Sequence, residues 1–247
     1  MNSLNLTSLF NVKDKNGAKV YIVSRNFDAC QASADELNAK GPGHCIPAAC
    51  QAFADTISKR ESRLDVLVNN SAIGLETHVE TTPASVWDET LSLNVTSIYL
   101  LTRFLLPLLD AAAISTDGAR VINIGSIGGF MPQKINTFVY DTSKAAVHHL
   151  TRALAVKLAR RPNGGHILVN AIAPGLIPSK LTEGLPYVTG KSFEQIKQEV
   201  PTERMGQDSD MAGLAIFLAS KASGWISGQV ITCDGGMVGT VETGVGP

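Results

Sequence analysis

What the chain lacks excludes several classes of protein. Neither sign of charge dominates: 21 Lys and Arg against 22 Asp and Glu leave a net charge of −1, which offers no general attraction to nucleic acid or to an anionic membrane. Four cysteines, Cys30, Cys45, Cys50 and Cys233, show no metal-ligand spacing, so reduced thiols in a cytoplasmic protein are the expectation. Met1-Asn2-Ser3-Leu4 carries no basic segment leading into an apolar run, so no secretion signal is read there. The Asn-x-Ser/Thr triplets at Asn5, Asn69 and Asn94 are accordingly taken as incidental. Long apolar runs are missing as well. The most apolar stretch, residues 98–109, is interrupted by Arg103 and Pro107 and is too short to span a bilayer. It reads as a buried or subunit-facing helix, and neither membrane nor nucleic acid is an expected partner.

What is present is a repeating pattern. The 247 residues suit one domain with a sizeable core, and residues 1–247 are read as a single unit with a lead-in over residues 1–15. Strands are expected at residues 18–25, 45–48, 64–70, 120–125, 166–172 and 229–232, from β-branched and apolar runs bounded by turn residues. Helices are expected between them, at residues 28–38, 53–63, 82–109, 140–159, 193–199 and 209–220. Asn16-Gly17 between apolar runs would by turn chemistry alone suggest a hairpin. The alternation as a whole instead indicates an α/β fold with a doubly wound, mostly parallel sheet. Ligands in such sheets sit at the carboxyl ends of the strands, so Asn70, Ser126 and Pro174 should share one crevice. Residues 176–205 are less regular and read as a substrate lid.

The chemistry concentrates in Tyr140-Asp141-Thr142-Ser143-Lys144. Four residues apart, a phenol and an ammonium share one helix face, and a nearby ammonium favours the ionised phenol. Such a pair can exchange a proton with an alcohol or ketone, and Ser126, at the end of a strand, adds a hydroxyl to hold the substrate oxygen. Any amphipathic helix can present this spacing by chance; the ordered company it keeps is more specific. Asn69-Asn70-Ser71-Ala72, Leu93-Asn94-Val95, Ser126, Tyr140 with Lys144, Pro174-Gly175 and Asp234-Gly235-Gly236 follow in that order. With these motifs the chain resembles the short-chain dehydrogenase/reductase family, a Rossmann-like fold. Residues 120–126 and Pro178-Ser179-Lys180 are similar to fungal 3-oxoacyl carrier-protein reductase-like members.

The resemblance implies roles. Tyr140 is the general acid/base, Lys144 lowers its pKa and binds the nicotinamide ribose, Ser126 holds the substrate oxygen, and Asn94 anchors a water relay. Cofactor contacts are implied for Ser24, Arg25, Asn69, Asn70, Pro174, Gly175, Ile177 and Ser179, besides Tyr140 and Lys144. Arg25 at a strand end can pair with a 2′-phosphate, which favours NADP(H) over NAD(H), although a solvated strand-end arginine would look the same. The implied partner is a small carbonyl or alcohol. A homodimer or homotetramer is implied through the helices at residues 98–109 and 140–159. Phe130, Met131, Phe138, Leu181, Leu185 and Tyr187 could line an apolar pocket suited to an acyl, polyketide or steroid-like ketone. His148 and His149 are read as surface or interface residues rather than metal ligands.

The family's opening strand and glycine-rich turn, Thr-Gly-x-x-x-Gly-x-Gly, occur nowhere in this sequence. Val12-Lys13-Asp14-Lys15 resembles the lead-in to that strand, and Asn16-Gly17-Ala18-Lys19-Val20 the region after its helix, so the first βα unit is expected to be missing. Ala49-Cys50-Gln51 stands where the family has an adenine-contacting aspartate, and Ala72 where it has a glycine. A catalytically impaired homologue, serving at most as an oligomer partner, is therefore a competing expectation.

Overall fold

A computed structural model describes residues 19–24, 44–49, 53–179 and 182–239, the first two segments by their backbone. The strands are β1 (Lys19–Ser24), β2 (His44–Ala49), β3 (Val66–Asn69), β4 (Ala119–Ile124), β5 (Ile167–Pro174) and β6 (Val230–Cys233). All pairings among them are parallel. They form two sheets: β1 with β2, and the order β3-β4-β5-β6. The expected helix at residues 28–38, the Asn16-Gly17 turn and Arg25 lie outside the described residues.

The four-stranded sheet is covered on both faces, as its unbroken apolar strands require. Every residue of β4 and β5 is buried. Alternation sends Ala119 and Val121 of β4 to one face and Ile122 and Ile124 to the other. On the first face they meet α1 (Phe53–Arg60), α4 (Leu106–Ala112) and α5 (Phe138–Leu158), through Ile57, Leu105, Leu108, Leu109 and Leu158. On the second they meet Met211, Ala212, Ala215 and Leu218 of α8 (Asp208–Ala219).

The helix read over residues 82–109 is not continuous. It consists of α2 (Ala84–Leu91), a π-helical turn (Ser92–Thr96), α3 (Ser97–Phe104) and then α4, set at 58° to the preceding segment. Pro107 explains the break, because a ring without an N–H is tolerated in the first turn of a new helix and not in the interior of an old one. No single helix among the described residues is long and apolar enough to cross a membrane. Within residues 176–205 two short helices form, α6 (Leu185–Thr189) and α7 (Phe193–Gln198). Ile177, Ile196 and Val200 are buried, so this segment is packed onto the domain.

Candidate active site

α5 is the element that builds the site. Tyr140, Lys144, His148, Thr151 and Ala155 recur on its buried face at steps of three and four residues. This stripe runs from polar at the N-terminal end to apolar further on, so the chemistry gathers above the carboxyl end of the sheet.

Tyr140 is 9% exposed and Lys144 2%. The Ser126 side chain lies near enough to the Tyr140 phenol to favour its ionised form. Lys144 Nζ donates to the carbonyl oxygen of Ile124 at 2.7 Å and lies 5.6 Å from the Tyr140 ring centroid. An ammonium has three donors. This single bond among the described residues leaves two for a ligand.

Burial acts on the two groups in opposite directions, each toward its neutral form. It pushes the Tyr140 phenol up to about 12, against a lowering by the Ser126 side chain. It pushes the Lys144 ammonium down to about 7. The tyrosine of the free site therefore lies above its ordinary value, whereas proximity to the ammonium alone would place it below: desolvation outweighs the attraction when the lysine itself is close to losing its proton.

Ser126 caps the turn that follows β4. Its Oγ accepts from the Gly128 N–H at 3.1 Å, the signature of an N-cap. Asn94 sits in the π-helical turn and is 1% exposed. Its amide donates to the Ile73 carbonyl at 2.8 Å and to Ser143 Oγ at 2.9 Å, while its Oδ1 accepts from the Ile73 N–H at 2.8 Å. The side chain thus ties the loop after β3 to α5. Irregular helix geometry of this kind recurs at functional positions.

The expected cofactor residues separate into three groups. Asn70, Pro174 and Gly175 lie at the carboxyl ends of β3 and β5 on the same side as Ser126, Tyr140 and Lys144. Asn70 Oδ1 is buried without a hydrogen-bond partner. A side chain at Gly175 would collide with the Asp234 backbone at 2.8 Å, so that close approach depends on glycine. Asn69 and Ile177 use their side chains structurally, and Ser179 is held in a turn by its backbone. The Asn69 amide donates to Asn123 Oδ1 at 2.9 Å, joining β3 to β4, and Asn123 continues to Thr151 Oγ1 at 2.9 Å. Ile177 packs in the core against α8. Ser179 closes a turn with Thr182, whose Oγ1 accepts from its N–H at 2.8 Å. Ser24 ends β1, and its side chain, like Arg25, is outside the described residues.

The donor set fits one half of a dinucleotide. A buried acceptor at Asn70 and two N–H groups on Lys144 are what a polar ribose and carboxamide would need. Nothing among the described residues supplies an equivalent cradle for a pyrophosphate. Of the expected pocket residues, Phe130 and Met131 are exposed beside the serine turn, and Tyr187 is 92% exposed, directed to solvent.

Comparison with known proteins identifies relatives of this chain. Residues 12–238 match the family model described as Enoyl-(Acyl carrier protein) reductase. A Pseudomonas aeruginosa rhamnolipid-biosynthesis 3-oxoacyl-[acyl-carrier-protein] reductase is 38% identical, over 89% of this chain and 86% of that protein. The P. aeruginosa RhlG/NADP active-site complex superposes with a TM-score of 0.85 at 36% identity, covering 96% of this chain and 93% of its own. A 3-oxoacyl-[acyl-carrier protein] reductase with bound NAD from Brucella melitensis gives a TM-score of 0.80 at 25% identity, covering 96% and 89%.

Proposed function

Because the chain belongs to the short-chain dehydrogenase/reductase family of oxidoreductases, we propose that it interconverts a ketone and a secondary alcohol with NADP(H), Tyr140 serving as general acid/base. The observation that carries this reading is the buried triplet in which the Ser126 side chain lies beside the Tyr140 phenol with Lys144 one helical turn away. The nicotinamide, when bound, supplies the hydride; the protein positions it and manages the proton.

In the direction of reduction the Ser126 hydroxyl holds the substrate oxygen beside the Tyr140 O–H. The phenol, pushed up to about 12, carries its proton at neutral pH and can donate it as negative charge develops on that oxygen. Lys144, pushed down to about 7, is poised to pass a proton to the resulting phenolate. Asn94 holds the loop after β3 against Ser143, the residue before Lys144, and anchors the relay that refills the lysine. Lys144 and Asn70 would hold the nicotinamide half of the cofactor. Arg25 would read a 2′-phosphate, as suits a chain similar to the RhlG/NADP complex.

For substrate we propose an apolar β-ketoacyl compound. Phe130 and Met131 offer an apolar lip beside Ser126, and a 38% identical relative is named a 3-oxoacyl-[acyl-carrier-protein] reductase. The functional unit we propose is a cytoplasmic homodimer or homotetramer, with Tyr99, Leu100 and Phe104 of α3 and Val156 of α5 as the exposed apolar contacts. The test is NADPH oxidation with a β-ketoacyl thioester, alongside fluorescence titration of NADPH. Turnover supports the reading, and no binding at millimolar NADPH refutes it.

One observation favours a second reading, an impaired homologue that at most pairs with complete relatives. The sequence contains no glycine-rich turn, and β1 is bonded to β2 in a sheet separate from β3. Binding of NADPH without turnover of any ketone would select it.

A further inference from the structure

His148 lies one turn beyond Lys144 on α5, outside the residues assigned to proton transfer, and it is 2% exposed. Its ring fills a space that three other groups leave open for it. A side chain at Gly125 would approach its Nε2 to 2.4 Å, and one at Gly129 would approach its Cε1 to 2.6 Å. Only glycines on both sides of Ser126 allow the turn to settle onto this ring. Phe130 packs against it, tilted at 45° with centroids 4.5 Å apart. The Ser126 N–H points at Nε2 over a long 3.5 Å, and the Gly129 backbone lies beside the ring. An imidazole that accepts at one nitrogen must be neutral. Burial, followed by Arg152 and Lys144, pushes this group down to about 4, in keeping with a neutral ring.

We propose that His148 is a positioning residue: its neutral ring seats the turn from Gly125 to Phe130 on α5, and so fixes Ser126 toward Tyr140 and Phe130 at the substrate lip. The catalytic part of this inference rests on the reductase reading above, whereas the seating of the turn does not. Two variants separate acceptor from filler. His148→Gln keeps an acceptor near Nε2, and His148→Phe fills the volume without one.

The experiment is hydrogen exchange of the 125–131 segment measured by mass spectrometry on the full chain, with steady-state kinetics in parallel. Exchange at 125–131 is expected to rise at least about tenfold in His148→Phe and to stay within about threefold of wild type in His148→Gln. In an active chain, kcat should fall at least about tenfold in His148→Phe with KM for NADPH unchanged, and be restored by His148→Gln, as expected for a loss confined to the transition state. If wild type reduces no ketone, the reductase reading fails and the exchange measurement still decides the role of the ring. Unchanged exchange in His148→Phe, or an equal rise in both variants, overturns the proposal.

Discussion

Replacing Lys144 by methionine should stabilise the protein while removing its chemistry. Lys144 is 2% exposed and is pushed down to about 7 by burial. At about 1.4 kcal/mol per pH unit, an amine so far below its ordinary value costs the native state on the order of 4 kcal/mol at pH 7 relative to the unfolded chain. Methionine has a similar length and no charge, but it leaves the Ile124 carbonyl without its 2.7 Å donor. An unsatisfied buried acceptor costs about 1–3 kcal/mol. The difference is a net stabilisation of about 1–3 kcal/mol, and for a chain of this size Tm rises about 2–4 °C per kcal/mol.

The pH dependence distinguishes this account from generic packing. A lysine whose native pKa lies below its unfolded value makes the unfolded chain bind more protons between the two, so wild-type stability increases as pH rises from about 7 toward 10. The gap between Lys144→Met and wild type should close over that window. Tyr140 is common to both proteins and cancels in the comparison. Thermal unfolding followed by circular dichroism at pH 7 and pH 9.5 is the assay. A variant no more stable than wild type at pH 7, or a gap independent of pH, refutes the reasoning.

Tyr140→Phe should lower kcat about 10²–10⁴-fold, the usual contribution of a positioned acid, with NADPH affinity measured by fluorescence little changed. Leu109→Ala, at a fully buried core position of α4, should cost about 2–5 kcal/mol in denaturant unfolding without altering the site. Light scattering should show a dimer or tetramer, and Phe104→Glu on the exposed face of α3 should shift it toward monomer; a wild-type monomer removes the interface assignment.

The parts of this site that could be read from sequence were those set by local periodicity. Tyr140 and Lys144 share a helix face because four residues are close to one turn, and Ser126 follows a strand whose apolar run places it in the core. Asn69 was harder to assign. Both faces of β3 and β4 are covered, so a polar strand-end residue can turn either to ligand or to structure. Only the partners Asn123 and Thr151 show that its amide is structural. The π-helical turn around Asn94 left no trace in the sequence, because Leu93-Asn94-Val95 has no residue that breaks a helix. Pro107 did mark the start of α4, although the apolar run across it read as one helix. Tyr187 looked like a pocket residue by type and projects into solvent. His148, read as a surface or interface residue, is instead 2% exposed within the fold, a place that its contacts alone reveal. Its partners are two glycines some twenty residues earlier, which acquire meaning only from what the ring would collide with.

The site is also divided by how its parts are held. Ser126, Tyr140, Lys144 and Asn94 all rest on the four-stranded sheet or on helices packed against it, with Asn94, Ser143 and Ile73 bonded to one another across three segments. Tyr140 and Lys144 are held there at a cost in solvation, and poorly solvated groups of this kind are what stability is usually traded for. Ser24, one of the two residues proposed to distinguish the 2′-phosphate, ends β1 in the separate pair of β1 and β2. On the proposed reading, proton transfer and cofactor choice draw on different sheets. A loss of cofactor affinity and a loss of proton transfer should accordingly be separable by mutation, since no hydrogen-bonded strand pair joins the two sheets among the described residues.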